Sequence, residues 1–319
     1  MTTLIETTHP KDLLRIGALD REELEYMLDL SARMKHKPRK WRKAQRGKVL
    51  ACYFTKPSTR TRVSMEAAAY RLGMLPVMLR PDELQLGRGE PISDTARVLS
   101  SYVDAIAIRT FADADVAEVA LHASVPVINA LTDQHHPCQA LADLLTLRER
   151  FGELDGVKLA YVGDGNNVAH SLIEAGALAG MHVVVACPPG YEPDEHIVEQ
   201  ARDTGGTIEI LSDPREAVEG AQAVYTDVWV SMGEDDERAQ RLARLRDYQV
   251  TPGLMAEASS EAVFMHCLPA HRGQEVTAEV IDGRQSVVFQ QAENRMHTEQ
   301  AVIQTLVSGY WPGVEGSLS

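Results

Sequence analysis

With 319 residues, 44% of them hydrophobic, the chain is long enough for about two domains with real cores. Its net charge of −14 argues against broad nucleic-acid or anionic-membrane binding, and no apolar run approaches the ~20 residues that span a bilayer. The stretch from Met1 to Asp12 has neither an apolar signal core nor an Arg-rich presequence, so a cytoplasmic location is expected. The four cysteines, Cys52, Cys138, Cys187 and Cys267, are scattered without a CxxC pair, which speaks for free thiols and against structural zinc.

Asp20 to Arg33 has helical periodicity, with Leu24, Met27, Leu28 and Leu30 on or near one face. The basic run from Lys35 to Lys48 reads as a solvated surface. Val49 to Phe54 is an apolar run of strand length, which Pro57 breaks. Ser58 and Thr59 suit the N-terminus of an Ala-rich helix ending near Gly73. That junction gathers free backbone N–H groups, the positive end of a helix dipole, the hydroxyls of Ser58, Thr59 and Thr61, and the cations Arg60 and Arg62. It reads as an anion site that a phosphate fits best, although Arg62 could instead pair with Glu66 one turn on.

A short strand at Leu75 to Leu79 leads into a polar loop, Pro81 to Pro91, containing Gln85. Ser93 or Asp94 is expected to cap the next helix, which ends near Tyr102. A strand from Ala105 ends on Arg109; Asp115 to Ala123 reads as helix and Val125 to Asn129 as strand. His136-Pro137-Cys138-Gln139 then opens a long helix to about Arg150, with Pro137 at a first-turn position where it is tolerated.

The alternation restarts near Phe151 to Gly156. Strands are expected at Lys158 to Val162, His182 to Ala186, Ile208 to Leu211, Ala223 to Thr226, Val263 to Met265 and Ser286 to Gln290. An Ala-rich helix to Gly180 follows the first of these, and a last helix runs from about Glu293 to Ser308. The parse is α/β: two Rossmann-like domains, each a mostly parallel sheet flanked by helices and joined by interdomain helices. Residues 1–150 and 151–290 are the expected domains, and the C-terminal segment, about 291–319, is expected to pack back onto the first.

In open α/β sheets ligands collect beyond the carboxyl ends of the strands, and the polar clusters lie at such ends. A neutral His136 or a Gln139 amide could donate to a carbonyl oxygen beside a phosphate held by arginines. Gly163-Asp164-Gly165-Asn166-Asn167-Val168 resembles a dinucleotide loop, but its third glycine is Val168 and no acid ends the strand at Ala186. A tight turn presenting Asn amides to another ligand is the better reading. Asp227 could hold an ammonium group. His266 and Cys267 are strand neighbours on opposite faces, so they are not expected to act as a dyad.

Taken together, Ser58-Thr59-Arg60-Thr61, Arg109-Thr110, His136-Pro137-Cys138-Gln139, Asp227 with Ser231-Met232-Gly233, and His266-Cys267-Leu268-Pro269 resemble the carbamoyltransferases over nearly the whole chain. The Ser-Met-Gly and His-Cys-Leu-Pro segments resemble the ornithine branch of that family. The resemblance implies carbamoyl transfer from carbamoyl phosphate to L-ornithine, giving L-citrulline and phosphate, without cofactor or metal. Another amine, such as putrescine or an N-acylated ornithine, is the alternative substrate.

The resemblance also implies roles. Ser58, Thr59, Arg60, Thr61 and Arg109 hold the phosphate. His136, Pro137, Cys138, Gln139, Cys267, Leu268 and Arg295 surround the carbamoyl phosphate, with Arg60, Arg109, His136, Cys267 and Arg295 taking part in catalysis. Asn167, Asp227, Ser231 and Met232 bind the amino-acid end of ornithine. Gln85 matches a loop that completes a neighbouring subunit's site, and homotrimers are the expected assembly.

Overall fold

The computed structural model describes residues 12–56, 58–83, 89–230 and 235–311. Helix α1 (Arg21–His36) begins in a reciprocal capping box: the Asp20 carboxylate accepts from the Glu23 N–H at 2.8 Å, and the Glu23 carboxylate accepts from the Asp20 N–H at 2.8 Å. The first sheet contains β1 (Val49–Phe54), β2 (Leu75–Leu79), β3 (Ala105–Arg109) and β4 (Val127–Leu131), all parallel in the order β2-β1-β3-β4. Parallel strands need crossovers. These are α2 (Arg60–Leu72), α3 (Ile92–Ser100) and α4 (Asp113–His122), and α5 (Pro137–Phe151) leads away from β4. Gly73 ends α2 in the left-handed region that glycine enters freely.

The second sheet contains β5 (Lys158–Val162), β6 (His182–Ala186), β7 (Thr207–Leu211), β8 (Ala223–Tyr225) and β9 (Val263–Met265), parallel in the order β7-β6-β5-β8-β9. Its helices are α6 (Asn167–Ala179), α7 (Glu195–Asp203), α8 (Pro214–Val218), α9 (Arg238–Leu245), α10 (Pro252–Met255) and α11 (Ala278–Ile281). The last helix, α12 (Val288–Ser308), packs on α1, α2 and α5, all elements of the first half. Helices α5 and α6 pack together between the sheets, so one apolar cluster runs continuously from Leu50 and Ala107 through Leu141 and Leu144 to Ile173 and Leu159.

Three local expectations needed correction. Ser286 to Gln290 is not a strand: Ser286 makes only an isolated bridge to Phe264, and Val288 already starts α12. Val288, Gln291, Asn294, Arg295 and Thr298 are buried at helical spacing, and that periodicity overrides the β-like residue types at the front. Neither Ser93 nor Asp94 caps α3; the cap is Pro91, without a side-chain bond, and Asp94 sits in the first turn, where the dipole favours it. Strand β4 lies two residues further on than Val125 to Asn129, because Pro126 has no N–H for the ladder and only accepts there, from the Ile106 N–H at 2.9 Å.

Candidate active site

Register brings the basic residues together. Phe54 pairs with Arg109, so the end of β3 lies beside the loop that enters α2. There the Thr61 hydroxyl, 2% exposed, accepts from Arg109 Nη1 at 3.3 Å and from Arg295 Nη2 at 3.3 Å. Arg295 reaches in from α12; it also donates to Gln139 Oε1 at 2.8 Å and to Glu299 Oε1 at 2.7 Å. Arg60, the first residue of α2, lies on the same side, within the fields of Arg295, Cys267 and Asp227. Ser58 supplies the cap, its hydroxyl accepting from the Thr61 N–H at 3.2 Å, whereas Thr59 makes no cap bond. Pro57 lies outside the described residues.

Two guanidiniums thus converge on one hydroxyl with Arg60 nearby, and of the three only Arg295 has a carboxylate partner, Glu299, among the described residues. Burial, aided by the charges of Arg295 and Arg60, pulls Arg109 down to about 10. Such crowding favours an incoming dianion. Arg62 points elsewhere: its Nε lies 3.3 Å from Glu66 Oε1, and with Ser58, Thr59, Lys56 and Arg80 it borders an outer cleft of about 550 Å³.

His136 caps α5 at 5% exposure, and its Nδ1 is buried without a partner. Burial, then the charges of Arg295, Arg109 and Arg60, hold its pKa well below the usual imidazole range. The ring is therefore neutral at neutral pH and suited to donating to an oxygen. Gln139 is fixed by Asp143, whose Oδ1 accepts from Gln139 Nε2 at 2.7 Å and from Gln291 Nε2 at 2.7 Å. Pro137 fills the first turn of α5. Cys138 does not face the cluster: its thiol, pushed up to about 12 by burial, donates to the Asn129 carbonyl at 3.6 Å, inside the core.

The second half supplies an opposing acidic corner. Asp227, just past β8, accepts from Asn166 Nδ2 at 2.9 Å and from the Cys267 thiol at 2.9 Å. Burial and the Asp227 charge hold Cys267 well above the usual thiol range, so it is a protonated donor rather than a thiolate nucleophile. Leu268, at φ +58°, donates its N–H to His266 Nδ1 at 2.8 Å, while His266 Nε2 lies 3.2 Å from Glu275 Oε1. His266 and Cys267 are not strand neighbours on opposite faces as expected, because β9 ends at Met265 and their ligand atoms lie within 4.8 Å of each other, but both ring nitrogens of His266 are engaged with Leu268 and Glu275. Asp227, His266 and Cys267 are the one metal-type cluster among the described residues, and the histidine has no lone pair left to give.

Asn167 is the first residue of α6. Its Nδ2 donates to the Thr132 carbonyl at 2.6 Å, and the neighbouring Asn166 makes the contact to Asp227. The glycine-rich turn is filled by protein: a Cβ on Gly165 would lie 2.3 Å from the Pro193 backbone N, and Asp164 pairs with Arg241. Ser231, Met232 and Gln85 lie outside the described residues. Sequence reading missed Asn166, Asp143, Glu299 and Gln291. Two of them left a signal, the i, i+4 spacing of Gln139–Asp143 and of Arg295–Glu299.

Two family models match the chain. The carbamoyl-P binding domain of aspartate/ornithine carbamoyltransferase covers residues 11–149, and its Asp/Orn binding domain covers residues 155–306. The ornithine carbamoyltransferase of Symbiobacterium thermophilum is 52% identical over 97% of this chain and 100% of its own length. That of Methanothermobacter thermautotrophicus is 59% identical over 83% of this chain and 89% of its own. Among solved structures, ornithine carbamoyltransferase from Pyrococcus furiosus superposes with a TM-score of 0.89 at 49% identity, covering 95% of this chain and 98% of that one.

Proposed function

The chain belongs to the aspartate/ornithine carbamoyltransferase family, and from that premise we propose that it transfers the carbamoyl group of carbamoyl phosphate to the δ-amine of L-ornithine, yielding L-citrulline and phosphate, a step of arginine biosynthesis. The observation that carries this reading is the convergence of Arg109 and Arg295 on Thr61, with neutral His136 alongside and the Asp227–Cys267 pair opposite.

The mouth of α2, with Ser58, Thr59 and Arg60, takes the phosphate together with Arg109 and Arg295. The Thr61 hydroxyl, the His136 ring and Arg109 stabilise the oxyanion that forms when the amine attacks the carbamoyl carbon. The Gln139 oxygen accepts from the carbamoyl NH2, and Leu268 closes that side. Asp227, steadied by Asn166 and Cys267, binds the α-ammonium; Asn167, Ser231 and Met232 serve the remaining amino-acid end. Nearby guanidiniums favour the neutral δ-amine, which is the nucleophilic form. Direct attack with phosphate as leaving group uses no covalent enzyme intermediate, metal or cofactor. Residues 1–150 form the carbamoyl-phosphate domain and 151–290 the ornithine domain.

Exposed Val63 and Tyr70 on α2, and Leu75 on the open edge strand β2, support a homotrimer in which the Gln85 loop serves a neighbouring site. No helix among the described residues is long and apolar enough to cross a membrane, and the enzyme is assigned to the cytoplasm.

The test is citrulline formation from carbamoyl phosphate with a panel of amines. Turnover with ornithine is expected. Turnover confined to putrescine or N-acetylornithine refutes the substrate assignment.

A further inference from the structure

The loop carrying His136 belongs to the first sheet by sequence, yet it is held by a helix of the second. Along one face of α6, at spacing i, i+3, i+4 and i+7, four polar side chains meet that loop. Asn167 Nδ2 donates to the Thr132 carbonyl at 2.6 Å, and His170 Nδ1 donates to the Gln134 carbonyl at 3.0 Å. Ser171 Oγ accepts from the His136 N–H at 2.7 Å, and Glu174 Oε1 lies 3.6 Å from His135 Nε2. A helical face normally buries apolar groups against its neighbour. Here it presents a polar stripe to a backbone that has no ladder of its own.

Among these contacts the one at Ser171 reaches the reacting centre most directly. His136 Nδ1 is buried and unpartnered, and no described residue bonds the ring. Its aim therefore follows from its backbone, at φ −134° and ψ 65°. That backbone is fixed on two sides: the carbonyl accepts from the Gln139 and Ala140 N–H groups at 3.0 and 3.2 Å, and the N–H has Ser171 alone. Ser171 is 1% exposed, so water does not take its place. At its other end the same turn of α6 carries Asn166, which binds Asp227. One rigid segment, 166–171, thus ties the amine-side carboxylate to the carbonyl-side imidazole.

We propose that Ser171 is a positioning residue for carbamoyl transfer, acting through His136, and that the start of α6 sets the imidazole in register with the amine-binding corner. This rests on the reaction proposed above. A buried N–H stripped of its acceptor costs enough to shift the loop, which predicts about a tenfold loss.

The experiment is a double-mutant cycle on the full-length enzyme, with citrulline as the readout. Ser171→Ala is expected to lower kcat about tenfold with the KM for carbamoyl phosphate within about twofold. In a His136→Ala background the same change is expected to alter kcat by less than about twofold, because the group it serves is gone. Ser171→Cys, nearly isosteric with a weak sulfur acceptor, carries the same expectations should the alanine variant fail to fold. Unchanged kcat, or losses that multiply across the cycle, overturn the proposal. An inactive wild type refutes the proposed reaction, whereas an active wild type with an unimpaired Ser171 variant refutes only the positioning role.

Discussion

Arg295 stands in both the structural and the chemical account, and a pair of variants separates them. It is 4% exposed and lies 2.7 Å from Glu299, which is 0% exposed. In Arg295→Met the Glu299 carboxylate loses its cation while staying buried, a change of about 3–5 kcal/mol in folding stability. At about 2–4 °C per kcal/mol, the slope of a large domain, the melting midpoint falls roughly 6–20 °C. Burial already pushes the Glu299 carboxyl upward, against the pull of Arg295. Without Arg295 its folded-state pKa rises further. A raised folded pKa leaves stability intact below the unfolded pKa and removes it as pH rises through the folded one. The destabilisation is therefore smaller in acid and grows as the pH rises. Adding Glu299→Gln removes the stranded charge, so the double variant regains most of the lost midpoint. It does not regain activity, because the guanidinium that faces Thr61 and Gln139 is still missing; kcat stays down about 10²–10³-fold, the usual loss for one stabilising donor. Thermal melts at pH 5.5 and 8, with citrulline assays on both variants, test the argument. A double variant within tenfold of wild type, or a single variant that melts with wild type at pH 8, refutes it.

Cys267→Ala removes the donor that steadies Asp227 without removing any nucleophile. It is expected to raise the KM for ornithine about fivefold, on the order of 1 kcal/mol, while turnover persists; complete loss of turnover means the thiol does chemistry. His135 is a second, pH-dependent fastener. Burial works against its charge, but Asp113 at 2.8 Å and Glu174 outweigh it and raise the pKa from 6.5 to about 9. Its contribution is complete below pH 6.5 and disappears as pH rises through about 9, up to roughly 3 kcal/mol at about 1.4 kcal/mol per pH unit. Urea unfolding of His135→Gln between pH 6 and 10 is expected to show a flatter profile than wild type; parallel profiles mean that His135 carries no such charge.

The order of strands and helices, and the gathering of polar motifs at strand ends, could be read from the chain, because period and punctuation are local properties. So could the gathering of hydroxyls and Arg60 at the mouth of α2, since these residues adjoin in sequence. Where local signals competed, reading failed: Val287-Val288-Phe289 has strand-forming residues, but the burial of Val288 with Gln291, Asn294 and Arg295 at helical spacing, beside an exposed Phe289, shows that a helix opens there. Asn166 and Asn167 are adjacent and chemically equal, and the turn geometry alone sends one to Asp227 and the other across to Thr132. Cys138 stands inside a binding motif, yet the helix rotation turns its thiol into the core. The chain by itself determined which chemical groups are available and at which strand ends they emerge. Only the packing of α6 and α12 against the helices of the first half decided which ones face each other, because a buried group's partner is chosen by three-dimensional proximity rather than by distance along the backbone.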